Sequence, residues 1–106
     1  MIYNLIISEK AEELLDNLVY YILHNLKNKN AAKHLLTEVG EVYDRLEENP
    51  YQFAESVDEY LAVRGYKEAH LPTMRYVIMF YVENNNVYIS GIYHELELYT
   101  QKIKDS

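Results

Sequence analysis

His94-Glu95-Leu96-Glu97-Leu98 opens like the His-Glu-x-x-His motif, in which two imidazoles one helical turn apart hold a zinc ion. Leu98 stands where the second imidazole must be, and His24, His34 and His70 are scattered along the chain. There is no cysteine, so thiolate metal sites and disulfides are both excluded. The residues therefore call for no metal and no other cofactor. One turn of helix offers His94 no second imidazole with which to share a metal. The simpler reading is a strand-end histidine bonded to backbone.

Twelve tyrosines in 106 residues are the second chemical feature. Tyr66, Tyr76, Tyr88 and Tyr93 could form a face on which bases stack, with Arg64, Lys67 and Arg75 around it. The preferred alternative packs these rings between sheet and helices and leaves the hydroxyls at the rim. Charge bears on the choice. The net charge is −7, and Glu38 to Glu59 alone carries eight acids against one base, Arg45, so the rest of the chain sums to zero. Lys27, Lys29 and Lys33 form one basic segment, and Arg64, Lys67 and Arg75 against Glu68 form another. The whole-molecule charge counts against nonspecific nucleic-acid binding but leaves room for a local basic groove. The acidic run reads as a solvated helix face or, more sharply, a docking surface for a basic partner.

The elements that must position these groups follow from periodicity. Tyr3 to Ile7 reads as a buried strand ended by Ser8, a helix N-cap followed by Glu9, Glu12 and Glu13 where the helix dipole favours acids. Ala11, Leu14, Leu15, Leu18, Ile22 and Leu26 recur at three- and four-residue steps and predict a helix to about Leu26. After a short polar break Asn30 reads as the next cap. Ala32, Leu35, Leu36, Val39, Val42 or Tyr43, and Leu46 predict a second helix, stopped at Asn49-Pro50 because proline disfavours a helical residue before it. Gly40 inside it suggests a close helix–helix crossing. Tyr51 to Ala62 reads as a loop with a helical turn, pinned by Phe53, Val57, Tyr60 and Leu61.

Three strands follow. Lys67, Ala69 and Leu71 alternate with Tyr66, Glu68 and His70, so the two sets face opposite ways. Arg75 to Val82 is nearly all apolar, as a central strand covered on both faces must be. Asn84-Asn85-Asn86 is turn chemistry, and Val87 to Tyr93 completes a hairpin. Leu96, Tyr99 and Ile103, with Lys102 and Lys104, predict a terminal amphipathic helix. The length suits one domain spanning residues 1–106. No apolar run reaches membrane-spanning length, and MIYNLIISEK lacks the basic start of a signal peptide, so a cytoplasmic protein is expected.

This α+β order, β-α-α-β-β-β-α with an antiparallel-rich sheet against a helical hairpin and a C-terminal helix, resembles the RelE/ParE superfamily of bacterial toxins. Gly65-Tyr66-Lys67 entering the second strand, Tyr76 to Val82 and Val87-Tyr88-Ile89 resemble the family's strand patterns, and His94 with Tyr99 resembles its H-x-R-R-D-Y ending. The resemblance implies the toxin half of a type II toxin–antitoxin, or plasmid stabilisation, module, held inactive by a cognate antitoxin, with homodimerisation left open. RelE-like members cut messenger RNA on the ribosome without a metal, and ParE-like members poison DNA gyrase. By this resemblance Lys67, Arg75, His94 and Tyr99 would be catalytic in an mRNA interferase, with Arg64, Tyr66 and His70 binding substrate. The family's strand arginine is Val77 here, with Arg75 two positions away and so on the same face, and its paired arginines are Leu96 and Glu97. The expectation is translation inhibition by mRNA cleavage. A gyrase poison and a member that acts only by binding protein are the alternatives.

Overall fold

Hydrophobic alternation on the third strand sets the layering of the molecule. The structure, a computed structural model, describes residues 2–97 and Ile103. In the strand Tyr76–Glu83 the side chains of Val77 and Met79 are buried on one face, and those of Ile78 and Phe80 on the other. It is an inner strand of a four-stranded sheet. The order is β1 (Asn4–Ile7), β4 (Asn86–His94), β3 (Tyr76–Glu83) and β2 (Lys67–His70). β1 runs parallel to β4, and the β2–β3 and β3–β4 pairs are antiparallel.

Helices α1 (Glu9–Tyr20) and α2 (Lys29–Glu48) cover one face. Ala11, Ala32, Leu35, Val39, Val42 and Leu46 meet Ala69, Ile78, Phe80, Val87, Ile89 and Ile92 in one core. The opposite face has a smaller core of Leu61, Val77, Met79 and Tyr93, against which Leu14, Tyr66 and Ile103 pack. The α+β architecture is the one that the element order predicts. The terminal helix lies outside the described residues except for Leu96, which is exposed in a turn, and Ile103.

The helix ends follow local capping chemistry. The Ser8 hydroxyl accepts the Ala11 N–H at 3.0 Å and starts α1. After Tyr20 the helix widens into a π-helical turn over Tyr21–Asn25, so the predicted extent is reached with a change of pitch. Asn28, not Asn30, caps α2, its side chain accepting the Ala31 N–H at 3.0 Å. Lys27 just before it takes a left-handed φ of 51°, which turns the chain two residues earlier than the polar spacing suggested. Helix α2 ends where Pro50 requires, and the Asn49 side chain accepts the Tyr51 N–H to begin a short 3-10 turn over Pro50–Gln52.

Three packing expectations change. Leu36 is 48% exposed because the buried stripe runs through Leu35 and Val39, leaving its neighbour on the flank. A side chain built on Gly40 would meet no atom within 4 Å, so no close helix crossing explains that glycine. Of the four residues expected to pin the next segment, Leu61 in α3 (Glu59–Val63) and Phe53, edge-on to Phe80, do so, whereas Val57 is 87% exposed and Tyr60 is at the surface. Gly65, with φ 85°, makes the corner into β2 that a larger residue would strain.

The β3–β4 hairpin turns at Asn84 and Asn85, with Asn84 at φ 58°, the left-handed region that asparagine tolerates. A bulge follows between Met79 and Phe80, which pair with Gly91 and Ile89 and leave Ser90 as the extra residue. The Tyr93 ring lies across Gly91, closely enough that a Cβ there would stand 2.7 Å from the phenol oxygen.

Candidate functional site

Strand register separates the residues that the sequence grouped. Lys67 stands opposite Phe80 on the hairpin-covered face, at one end of the sheet, with its ammonium 5.5 Å from the Tyr51 ring centre. His94 stands opposite Tyr76 at the other end of the same face, four residues along β3, or about 13 Å at the usual strand rise. Its Nδ1 accepts the Leu96 N–H at 3.1 Å, its backbone N–H donates to Glu97 at 2.9 Å, and its ring sits edge-on to Tyr76. His94 is a strand-end histidine engaged with backbone.

The remaining predicted residues lie elsewhere. Arg75 precedes β3, with a side chain 77% exposed and Nε 3.8 Å from Glu95, the carboxylate that also meets His70. His70 lies between two carboxylates, Glu95 at 2.6 Å and Glu68 at 3.0 Å. Arg64 stacks over the Tyr60 ring at 3.5 Å and donates to the Tyr60 carbonyl. Tyr66 is on the face opposite Lys67, and Tyr99 lies outside the described residues. Glu95 joins His70 and Arg75 beside His94, whereas Lys67, Arg64 and Tyr66 lie apart, so among the described residues the predicted groups form no single constellation. None of the described acids and histidines group in a way that could hold a metal ion.

The face opposite the helical hairpin does gather aromatic side chains. Register aligns Ile6, Tyr88 and Tyr81, and Tyr66 extends the row across the sheet. Tyr81 and Tyr88 stack at 4.9 Å with planes 15° apart, and Tyr66 meets Tyr81 edge-on at 5.5 Å. Of the four tyrosines that the sequence proposed, Tyr66, Tyr88 and Tyr93 share this face, whereas Tyr76 packs on the other. Tyr81 was missed, although its even spacing from Val77 and Met79 places it with them. Burial, reinforced by Tyr66 and Glu83, raises the Tyr81 phenol pKa, and burial with Glu97 raises that of Tyr93, so both hydroxyls stay protonated at neutral pH.

Two buried glutamates anchor the loops around the sheet. Glu68 accepts the Ser56 hydroxyl at 2.9 Å and the Val57 N–H at 3.1 Å. Glu38 accepts the Thr73 hydroxyl, the Thr73 N–H at 3.1 Å and the Met74 N–H at 3.3 Å, with His34 2.9 Å away. Burial is the largest influence on Glu38 and pushes its pKa up. The donated bonds and His34 together outweigh it and hold the carboxyl below its ordinary value. Glu38 therefore belongs to a loop clamp, not to the solvated face that the acidic run suggested.

No helix among the described residues is long and apolar enough to cross a membrane. A solved structure titled "Chromosomal ParDE TA system from P. aeruginosa" matches the fold with a TM-score of 0.71 over 88% of this chain and 96% of that one, at 20% identity. No curated protein matches the chain. The family model described as "ParE toxin of type II toxin-antitoxin system, parDE" matches residues 5–99. The chain belongs to the ParE toxin family of type II toxin–antitoxin systems.

Proposed function

We propose that this chain arrests growth by poisoning DNA gyrase, acting in the cytoplasm as a single toxin domain until a cognate antitoxin covers it. The family match across residues 5–99 is the observation that carries this reading. Two physical features support it over mRNA cleavage. Cleavage by 2′-hydroxyl attack needs fixed cations around the scissile phosphate, where charge develops. Here Lys67, opposite Phe80, lies four residues along β3 from the end that carries Arg75 and His94, and the net charge of −7 repels a polyanion. A protein target does not face that penalty.

The helical hairpin supports the antitoxin part of the proposal. Tyr20, Tyr21, Leu26 and Leu36 are exposed along it, and the acids Glu41, Asp44, Glu47 and Glu48 lie on α2. An amphipathic segment with basic flanks would bury the first set and pair with the second. Induced expression with and without the neighbouring gene tests this. Growth arrest relieved by co-expression is expected, and no arrest at any level would leave only a binding protein. The Lys67, Arg75, His94 and Tyr99 assignment belongs to the mRNA-cleavage alternative, which the gyrase assay below separates.

A further inference from the structure

The stacked and edge-on tyrosines do not fill their face. Between them and the start of α1 lies a cavity of about 280 Å3, lined by Ser8, Lys10, Tyr66, Tyr81, Ser90 and Tyr93 and bordered by Ile103. Its chemistry is unusual for a surface dimple. The Lys10 ammonium and the Tyr66, Tyr81 and Ser90 hydroxyls make no hydrogen bond or ion pair among the described residues. One lysine and three hydroxyl-bearing side chains without such partners therefore line a space that also has aromatic walls. Ser90 is there because the bulge adds it to β4, and Gly91 lets the Tyr93 ring lie flat as part of the lining.

From this geometry we infer that the cavity binds a small planar aromatic carboxylate, with its ring against Tyr66 and Tyr81 and its carboxylate on Lys10. The volume suits one ring and a short polar group. Aromatic walls favour a planar partner, since offset and edge-on ring contacts add to simple burial. Lys10 is the one charged group of the lining and the hydroxyls can each donate, which favours an anion. Glu83 and Glu97 act on the Tyr81 and Tyr93 hydroxyls but do not line the cavity. Their negative charges offset part of the Lys10 attraction and penalise a phosphate dianion more than a monoanion held directly on the ammonium. The site goes beyond the gyrase reading and does not depend on it: Lys10 is in the first turn of α1, and none of the lining residues is among those assigned to the antitoxin.

Titration of the intact protein with benzoate, followed by NMR, tests the inference. Saturable shifts at Ser8, Lys10, Tyr66, Tyr81 and Ser90 are expected. Lys10→Ala, an exposed position whose loss leaves the fold intact, should weaken binding at least tenfold, and Tyr81→Phe two- to fivefold. Uncharged benzamide should bind the wild type at least tenfold more weakly than benzoate. Absence of saturable shifts, equal binding by Lys10→Ala, or equal binding of benzamide would each overturn it. Growth arrest by Lys10→Ala is scored separately, so failure of this site and failure of the toxin reading remain distinguishable.

Discussion

Lys67 and His94 share one face of the sheet yet stand opposite Phe80 and Tyr76, four residues apart on the same inner strand and on its two flanking strands. Their backbone positions are separated by at least about 13 Å along the strand direction, which disfavours a shared phosphate. If the chain does not act as a nuclease, Lys67→Ala and His94→Gln should each change the expression level needed for growth arrest by less than threefold. A loss above tenfold from either, equivalent to about 1.4 kcal/mol or more of transition-state stabilisation, would return that residue to a phosphoryl-transfer site.

Gly91 and Gly40 should respond to alanine with opposite signs. A Cβ at Gly91 would lie 2.7–2.8 Å from three atoms of the Tyr93 side chain, so the ring must shift from its place in the cavity lining. Gly91→Ala should cost about 1–3 kcal/mol by overpacking. Thermal unfolding should show this as a lower Tm.

Gly40 is in the interior of α2 with open space where a Cβ would stand. Gly40→Ala removes the entropic cost of glycine in a helix and should stabilise by up to about 1 kcal/mol. That corresponds to a Tm rise of up to about 4–8 °C for a domain of this size. A fall in Tm would show that the glycine serves a contact.

Glu38 should make stability depend on pH. Its pKa is lowered on folding: burial pushes it up, but the Thr73 and Met74 donors and His34 together prevail. A group depressed in the folded state contributes stability above its unfolded value, near pH 4–4.5, and loses it as pH falls through the folded value. Glu38→Gln should therefore destabilise by about 1–3 kcal/mol at pH 7. The gap from wild type should narrow below about pH 4 in urea titrations. A gap independent of pH would mean that the charge of the carboxylate is not what the loop requires.

The sheet was legible because its signals are local. Tyr76 to Val82 is apolar on both faces, and the asparagine turn fixes the hairpin after it. Alternation correctly put Lys67 and Ala69 on one side of β2 with Glu68 and His70 on the other, but no local pattern says which side the helices cover. The loop clamps were illegible for a related reason. Glu38 reaches Thr73, 35 residues away, and a carboxylate on an acidic helix looks solvated until its partner is in place. Gly40 misled because a helical glycine has the same sequence signature whether or not another helix crosses it. Tyr81 could have been found by continuing the even spacing from Val77. The cavity beside it could not, since Lys10 comes from the opposite end of the chain.

Gyrase-trapped DNA breaks measure the proposed activity most directly. Purified protein would be incubated with gyrase, supercoiled plasmid and ATP, then with detergent and protease to release covalent cleavage complexes. Linear DNA rising with protein dose, abolished by the co-purified antitoxin, is the expected result, with no cutting of mRNA on ribosomes at the same concentrations. Intact plasmid alongside cleaved ribosome-bound mRNA would contradict it.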